Sequence, residues 1–256
     1  MPNEETHESR IEQTRAILFD LHHTITEVRT DIISWCRITS KNAGVDLSQF
    51  SDEQIQDAFN ASNEVMKSHL ENNQVDIHWG NDPDDWLEIN RIFFNHLNLT
   101  DVTNNQIDRF EMGWRGTKDN AYELLIDGAK ETLEELSKRG YILGLCTRRH
   151  TDPKELLDGW EINHLFETIH YSGVPGYAKP SPYTLLKAAD EIGVNPRLCA
   201  YVGNLVNADV EASNRAEMFP VLTVWADSHE REQAPDDILV IERITDLLEH
   251  FKESPN

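Results

Sequence analysis

AILFDLHHTIT, residues 16–26, is apolar over its first four residues, meets an acid at Asp20 and then turns polar. A short apolar run with no alternation predicts a strand buried on both faces, with Asp20 at its carboxyl end. Three further segments repeat that layout in order. Thr147 closes the apolar run Tyr141–Cys146, Lys179 lies in the loop GYAKPSP, and Asn204 and Asp209 follow the run Leu198–Val202. Open parallel sheets bind ligands beyond the carboxyl ends of their strands, so these residues are expected to converge there.

Working outward, the chain changes rhythm twice. From about Arg29 to Asn120 apolar residues fall at helical spacing: Ile32, Ile33, Trp35 and Ile38, then Ile55, Phe59, Val65, Met66 and Leu70. Trp86, Ile89, Phe93, Phe94 and Leu97 form a third set, and Ile107, Phe110, Met112 and Trp114 a fourth. Ser51-Asp52-Glu53-Gln54 and Asp82-Pro83-Asp84-Asp85 carry helix-start signals. After Asn120, helices expected over 128–139, 153–160, 182–192, 208–216 and 244–251 alternate with strands over 141–146, 168–171, 198–202 and 221–225. Such alternation argues for right-handed crossovers on a parallel sheet. The expected fold is α/β, a doubly wound, Rossmann-like parallel sheet with an inserted α-helical cap. The core takes residues 14–28 and 120–252, the cap 29–119, and flexible tails 1–13 and 253–256.

The formal net charge of −23 on 256 residues is the most unusual bulk property. A dispersed acidic skin repels nucleic acid and anionic membranes and favours solubility, so neither is an expected partner. A salt-rich cytosol would make such self-repulsion cheap, and an ordinary acidic cytosolic protein fits equally well. No apolar window reaches the roughly 18 residues of a membrane span. The N-terminus MPNEETHESRIEQ is neither a secretory signal nor a transit peptide, so the expected location is the cytoplasm. Cys36, Cys146 and Cys199 show no CxxC spacing, which fits a reducing interior and no zinc site.

The four motifs, in this order and covering about residues 14–225, resemble the haloacid dehalogenase (HAD) superfamily. The resemblance implies a cap inserted after the first motif and an aspartate nucleophile, Asp20, which becomes transiently esterified. It implies that Thr147 donates a hydrogen bond to the transferring group and that Lys179 neutralises it. Asn204 and Asp209 match the positions that anchor Mg²⁺, together with Asp20 and the His22 carbonyl. The implied substrate is a small anionic molecule. Two positions depart from the family. DLHHT has His22 where phosphatases carry a second aspartate, and VGNLVNAD has Asn204 where they carry an acid.

The residues themselves limit what these departures mean. An imidazole with an unperturbed pKa near ~6.5 can both give and take a proton at neutral pH, so His22 is an acid/base candidate. It can equally fill space and lend only its carbonyl. His23 stands where the family has glycine, so a differently shaped turn is expected; side chains of neighbours on an extended segment point apart, which argues against a transition-metal pair. Asn204 keeps a neutral oxygen for a hard cation but loses a charge, and Asn207 is a weaker ligand candidate. Arg148 could pair with an oxyanion through its fork, while Arg149 reads as a solvated turn residue. Arg29, Arg37, His78, Trp79 and Arg115 are conceivable substrate contacts from the cap, with core and surface roles the plainer reading. Three functions stay open: a Mg²⁺-assisted phosphatase acting through an aspartyl-phosphate, a metal-independent 2-haloacid dehalogenase-type hydrolase, and a catalytically impaired binding or regulatory protein.

Overall fold

The computed structural model describes residues 7–115 and 122–255. It divides into two compact units. One comprises Met1–Glu27, Leu125–Arg149 and Trp160–Asn256, the other Val28–Leu124 and His150–Gly159. The expected tail at 1–13 splits accordingly: His7–Gln13 form a short helix, α1, and residues 1–6 and 256 fall outside the described residues. The cap boundary expected at 119–120 also falls outside them.

The first unit is built on a six-stranded parallel sheet. After β1 (Ala16–Phe19) the chain forms β2 (Thr26–Val28) and departs into the helices of the second unit, α2 (Ile32–Asn42), α3 (Asp52–Asn72), α4 (Pro83–His96) and α5 (Asn104–Arg115). It returns through β3 (Glu123–Leu125), which pairs with β2 as a two-stranded ribbon. Then come α6 (Ala129–Lys138), β4 (Ile142–Thr147), α7 (Lys154–Gly159), β5 (Thr168–Tyr171), α8 (Tyr183–Glu191) and β6 (Cys199–Gly203). The chain closes with α9 (Glu211–Arg215), β7 (Phe219–Thr223), α10 (Glu230–Gln233), β8 (Leu239–Ile241) and α11 (Leu247–His250). The sheet order is β5-β4-β1-β6-β7-β8, every pairing parallel.

The central strand β1 is buried along its whole length, as its unbroken apolar run requires. Its last residue, Phe19, stands level with Leu145 of β4 and Val202 of β6, so the residues just beyond all three strands share one edge. One core cluster behind that edge joins Leu18, Cys146, Leu185, Tyr201 and Met218. Burying each of the larger side chains contributes about 1.5–3 kcal/mol before entropy is counted.

Local departures from expectation have local causes. β7 begins two residues early and contains Pro220, which has no N–H and reads as a strand breaker. β8, β2 and β3 are three-residue strands, too short to show a period. The helix expected over 208–216 starts as a wide, π-type turn, Val206–Val210, before α9. The final helix opens as a 3₁₀ turn, Ile244–Asp246, before α11.

The second unit has the four expected helices. Ser51 and Gln54 form a reciprocal capping box on α3, and Asp31 and Asp82 cap α2 and α4. Its core gathers Ile55, Phe93, Phe94, Ile107 and Phe110, with Phe93 stacked on Phe110 at 5.2 Å between ring centroids. No helix among the described residues is long and apolar enough to cross a membrane.

Candidate active site

Asp20 leaves the end of β1 with its N–H bonded to the Val202 carbonyl of β6 at 2.8 Å, which fixes its backbone against the neighbouring strand. The chain then turns on one atom. The Leu21 carbonyl accepts from the N–H groups of Thr24, Ile25 and Thr26 and from the Thr26 hydroxyl. This tight turn puts His23 in the left-handed region, φ 59°. Histidine tolerates that region better than most side chains do, and glycine tolerates it freely. The same twist overturns the expectation that neighbouring side chains diverge: the His22 and His23 rings lie 4.0 Å apart, tilted by 57°. An extended segment would separate them; a left-handed residue does not.

The charged centre is a buried triplet. Lys179 Nζ donates to Asp20 Oδ1 at 2.6 Å, to Asp209 Oδ1 at 2.5 Å and to the Tyr201 hydroxyl at 2.7 Å. Asp20, Lys179 and Asp209 are 6%, 3% and 2% exposed, so water screens none of these contacts appreciably. At a separation of ~4 Å and an effective dielectric near ~20, one such pair gains about 4 kcal/mol gross, and here the ammonium has two. Burial by itself would lower the Lys179 pKa, but Asp20 and Asp209 outweigh it and hold the group above the usual lysine value. Burial raises the Asp20 carboxyl; Lys179 pulls it back and Asp209 adds to the rise.

Asp209 is held on its other side too. Its Oδ2 accepts the N–H groups of Asn204 and Leu205, both at 2.9 Å, where the π-type turn curls back on the strand end. Gly203 permits this closeness, since a Cβ there would sit 2.3 Å from Asp209 Cβ and Cγ. Glu230 anchors the same turn by accepting the Val206 N–H at 2.7 Å.

Thr24 sits between the remaining oxygens. Its hydroxyl lies 3.5 Å from Asp20 Oδ2 and 3.4 Å from Asn204 Oδ1, both long contacts. Those two hard oxygens therefore face one region without a strong donor between them, which fits a divalent cation. Asp209, already bonded through both oxygens, fits direct coordination less well. Among the described residues no group of three His, Cys, Asp or Glu side chains converges to hold a metal ion.

Thr147 is buried as the last residue of β4, beside β1, and Arg148 on the following turn is exposed. Within the second unit, three of the conceivable substrate contacts have protein partners. Arg37 binds the Leu47 and Phe50 carbonyls and Asp52. Arg115 binds the Asn81 and Gly80 carbonyls and pairs with Glu111. Trp79 is buried among His69, Trp86 and His150. Sequence reasoning missed Tyr201, which contacts Lys179 and donates its hydroxyl proton to the Cys146 carbonyl at 2.7 Å. A lone tyrosine in an apolar run looks like core; its one distinguishing signal is a hydroxyl that must find partners once buried.

The architecture is an α/β, Rossmann-like parallel sheet carrying a lysine-bridged pair of aspartates at its carboxyl edge. The chain belongs to the haloacid dehalogenase-like hydrolases, whose family model matches residues 14–217. Among curated relatives it is similar to a glyceraldehyde 3-phosphate phosphatase of Methanopyrus kandleri, 31% identical over 48% of this chain and 54% of that protein. It is also similar to a phosphoglycolate phosphatase of Aquifex aeolicus, 30% identical over 46% of this chain and 54% of the other. The chain thus spans about half the length of these curated relatives. Among solved structures, a 2-haloacid dehalogenase of Pseudomonas syringae shares the fold with a TM-score of 0.63, at 15% identity over 92% of this chain and 97% of that one.

Proposed function

We propose that the protein is a phosphatase of small phosphorylated metabolites in the cytoplasm, acting through an aspartyl-phosphate on Asp20. The observation that carries this reading is the buried Lys179 ammonium bonded to both Asp20 and Asp209. It offsets part of the rise that burial imposes on the Asp20 carboxyl and holds the group in place, as a nucleophile requires. Asp20 forms a bond to phosphorus as the bond to the leaving oxygen breaks, and His22 gives that oxygen its proton. Water then attacks the phosphoryl group, His22 takes the proton released, and Asp20 is regenerated with free phosphate. Thr147 donates to the phosphoryl oxygens, Lys179 offsets the negative charge beside them without a free N–H, and Arg148 draws the anion toward the sheet edge. Mg²⁺, when bound, supplies positive charge against the phosphoryl oxygens. Asp20, Asn204 and the His22 carbonyl would hold it, with Asp209 acting through water.

The test is phosphate release from an aryl phosphate with and without Mg²⁺, wild type beside Asp20→Asn. Magnesium-stimulated turnover abolished by the substitution supports the reading; turnover that survives it defeats it. His22→Asp is expected to raise activity in Mg²⁺, and a large fall would give the imidazole a role of its own.

Carbon–halogen cleavage is the second reading, favoured by Asn204. A halide leaves without a proton and needs no divalent cation, so the missing carboxylate would cost nothing. Chloride release from 2-chloropropionate without metal would establish it.

A further inference from the structure

Tyr201 occupies an unusual place for a strand residue. Its ring is 1% exposed on β6, level with Leu18 of β1, yet its hydroxyl reaches the Cys146 carbonyl of β4, one strand beyond. A phenol has one proton to donate; the Cys146 carbonyl accepts it at 2.7 Å, with the Asp209 carboxylate also beside the hydroxyl. Toward Lys179 the oxygen can therefore only accept, which it does at 2.7 Å. An ammonium has three protons, and the three acceptors Asp20, Asp209 and Tyr201 use all of them.

We infer that Tyr201 is a positioning residue: its hydroxyl, oriented by the Cys146 carbonyl, fixes the Lys179 ammonium between the nucleophile and Asp209. The inference rests on the proposed role of Asp20 for its kinetic consequence but not for its structural one. Without the hydroxyl, one N–H of Lys179 and the Cys146 carbonyl would be buried unpaired, and the ammonium would be free to tilt toward either carboxylate. The charge would remain, so substrate binding should change little. Its placement in the transition state would suffer.

Tyr201→Phe tests this, beside Tyr141→Phe as a control that removes another buried tyrosine hydroxyl from the same unit. Two readouts apply. In protein labelled with [15N]lysine, the wild type should show a slowly exchanging ammonium resonance that is absent from Lys179→Arg. Tyr201→Phe should speed its proton exchange at least tenfold, and Tyr141→Phe should not. With an aryl phosphate, Tyr201→Phe should lower kcat tenfold or more while KM moves less than threefold. A wild type lacking the slow resonance, or a Tyr201→Phe resonance that exchanges at the wild-type rate, overturns the inference whatever the activity. Full turnover in Tyr201→Phe with none in Asp20→Asn overturns it and leaves the nucleophile reading intact. Turnover that persists in Asp20→Asn defeats that reading instead, and the resonance alone then decides the role of Tyr201.

Discussion

Asp20 and Asp209 share a single cation: Lys179 Nζ lies 2.6 Å from one carboxylate and 2.5 Å from the other. Removing one member of a buried ion pair costs more than the pair contributes, because the survivor stays uncompensated. Lys179→Met should therefore abolish turnover and destabilise the fold by about 3–5 kcal/mol near neutral pH. Urea unfolding checks the second part. A stability within ~1 kcal/mol of wild type would show that the carboxylates do not depend on this ammonium.

Gly203 is the point where β6 gives way to the turn carrying Asp209. A methyl group there would overlap Asp209, so Gly203→Ala must push the carboxylate off Lys179 or move the turn. Overpacking of this kind costs roughly 1–3 kcal/mol. The expected outcome is a more than tenfold loss of kcat with a modest fall in Tm. A crystal structure of the variant would show Asp209 displaced.

Asn204→Asp would return a carboxylate to the position that shares Thr24 with Asp20. Two effects of opposite sign follow. In EDTA the added charge repels Asp20, and Tm should fall. With Mg²⁺ the extra carboxylate should tighten binding at least tenfold by calorimetry and reverse that loss. A Tm indifferent to Mg²⁺ in both proteins would argue for metal-free chemistry.

Acid stability offers a check within the second unit. Asp31 caps α2, and the Ser34 hydroxyl and N–H hold its carboxyl below the usual 3.8. A lowered folded value means the unfolded chain takes up the proton first. The cap is then fully stabilising above about pH 4 and loses its effect as pH falls through the folded value. Asp31→Ala should accordingly unfold at lower urea than wild type at pH 6, with the gap narrowing toward pH 2.5.

The parallel sheet and the placing of Asp20 and Asp209 were legible because each acid follows an apolar segment at a strand end. Lys179, in the loop GYAKPSP, and Asn204 stood out only against the family's motifs, one as a match and one as a departure. What escaped is what periodicity does not encode. Tyr201 is apolar in pattern, and only a tertiary contact to the Cys146 carbonyl gives its hydroxyl a purpose. The closeness of His22 and His23 depends on one left-handed φ, which a residue type normally tolerant of the extended region does not announce. Arg37 and Arg115 read most plainly as solvated surface cations, yet backbone carbonyls 10 to 35 residues away claim them.

The most direct measurement is mass spectrometry of protein quenched in acid during turnover of a small phosphate monoester. A phosphoryl group on the peptide containing Asp20, absent from Asp20→Asn, is the expected result. Rapid phosphate release with that peptide unmodified at every time point would contradict the covalent role of Asp20.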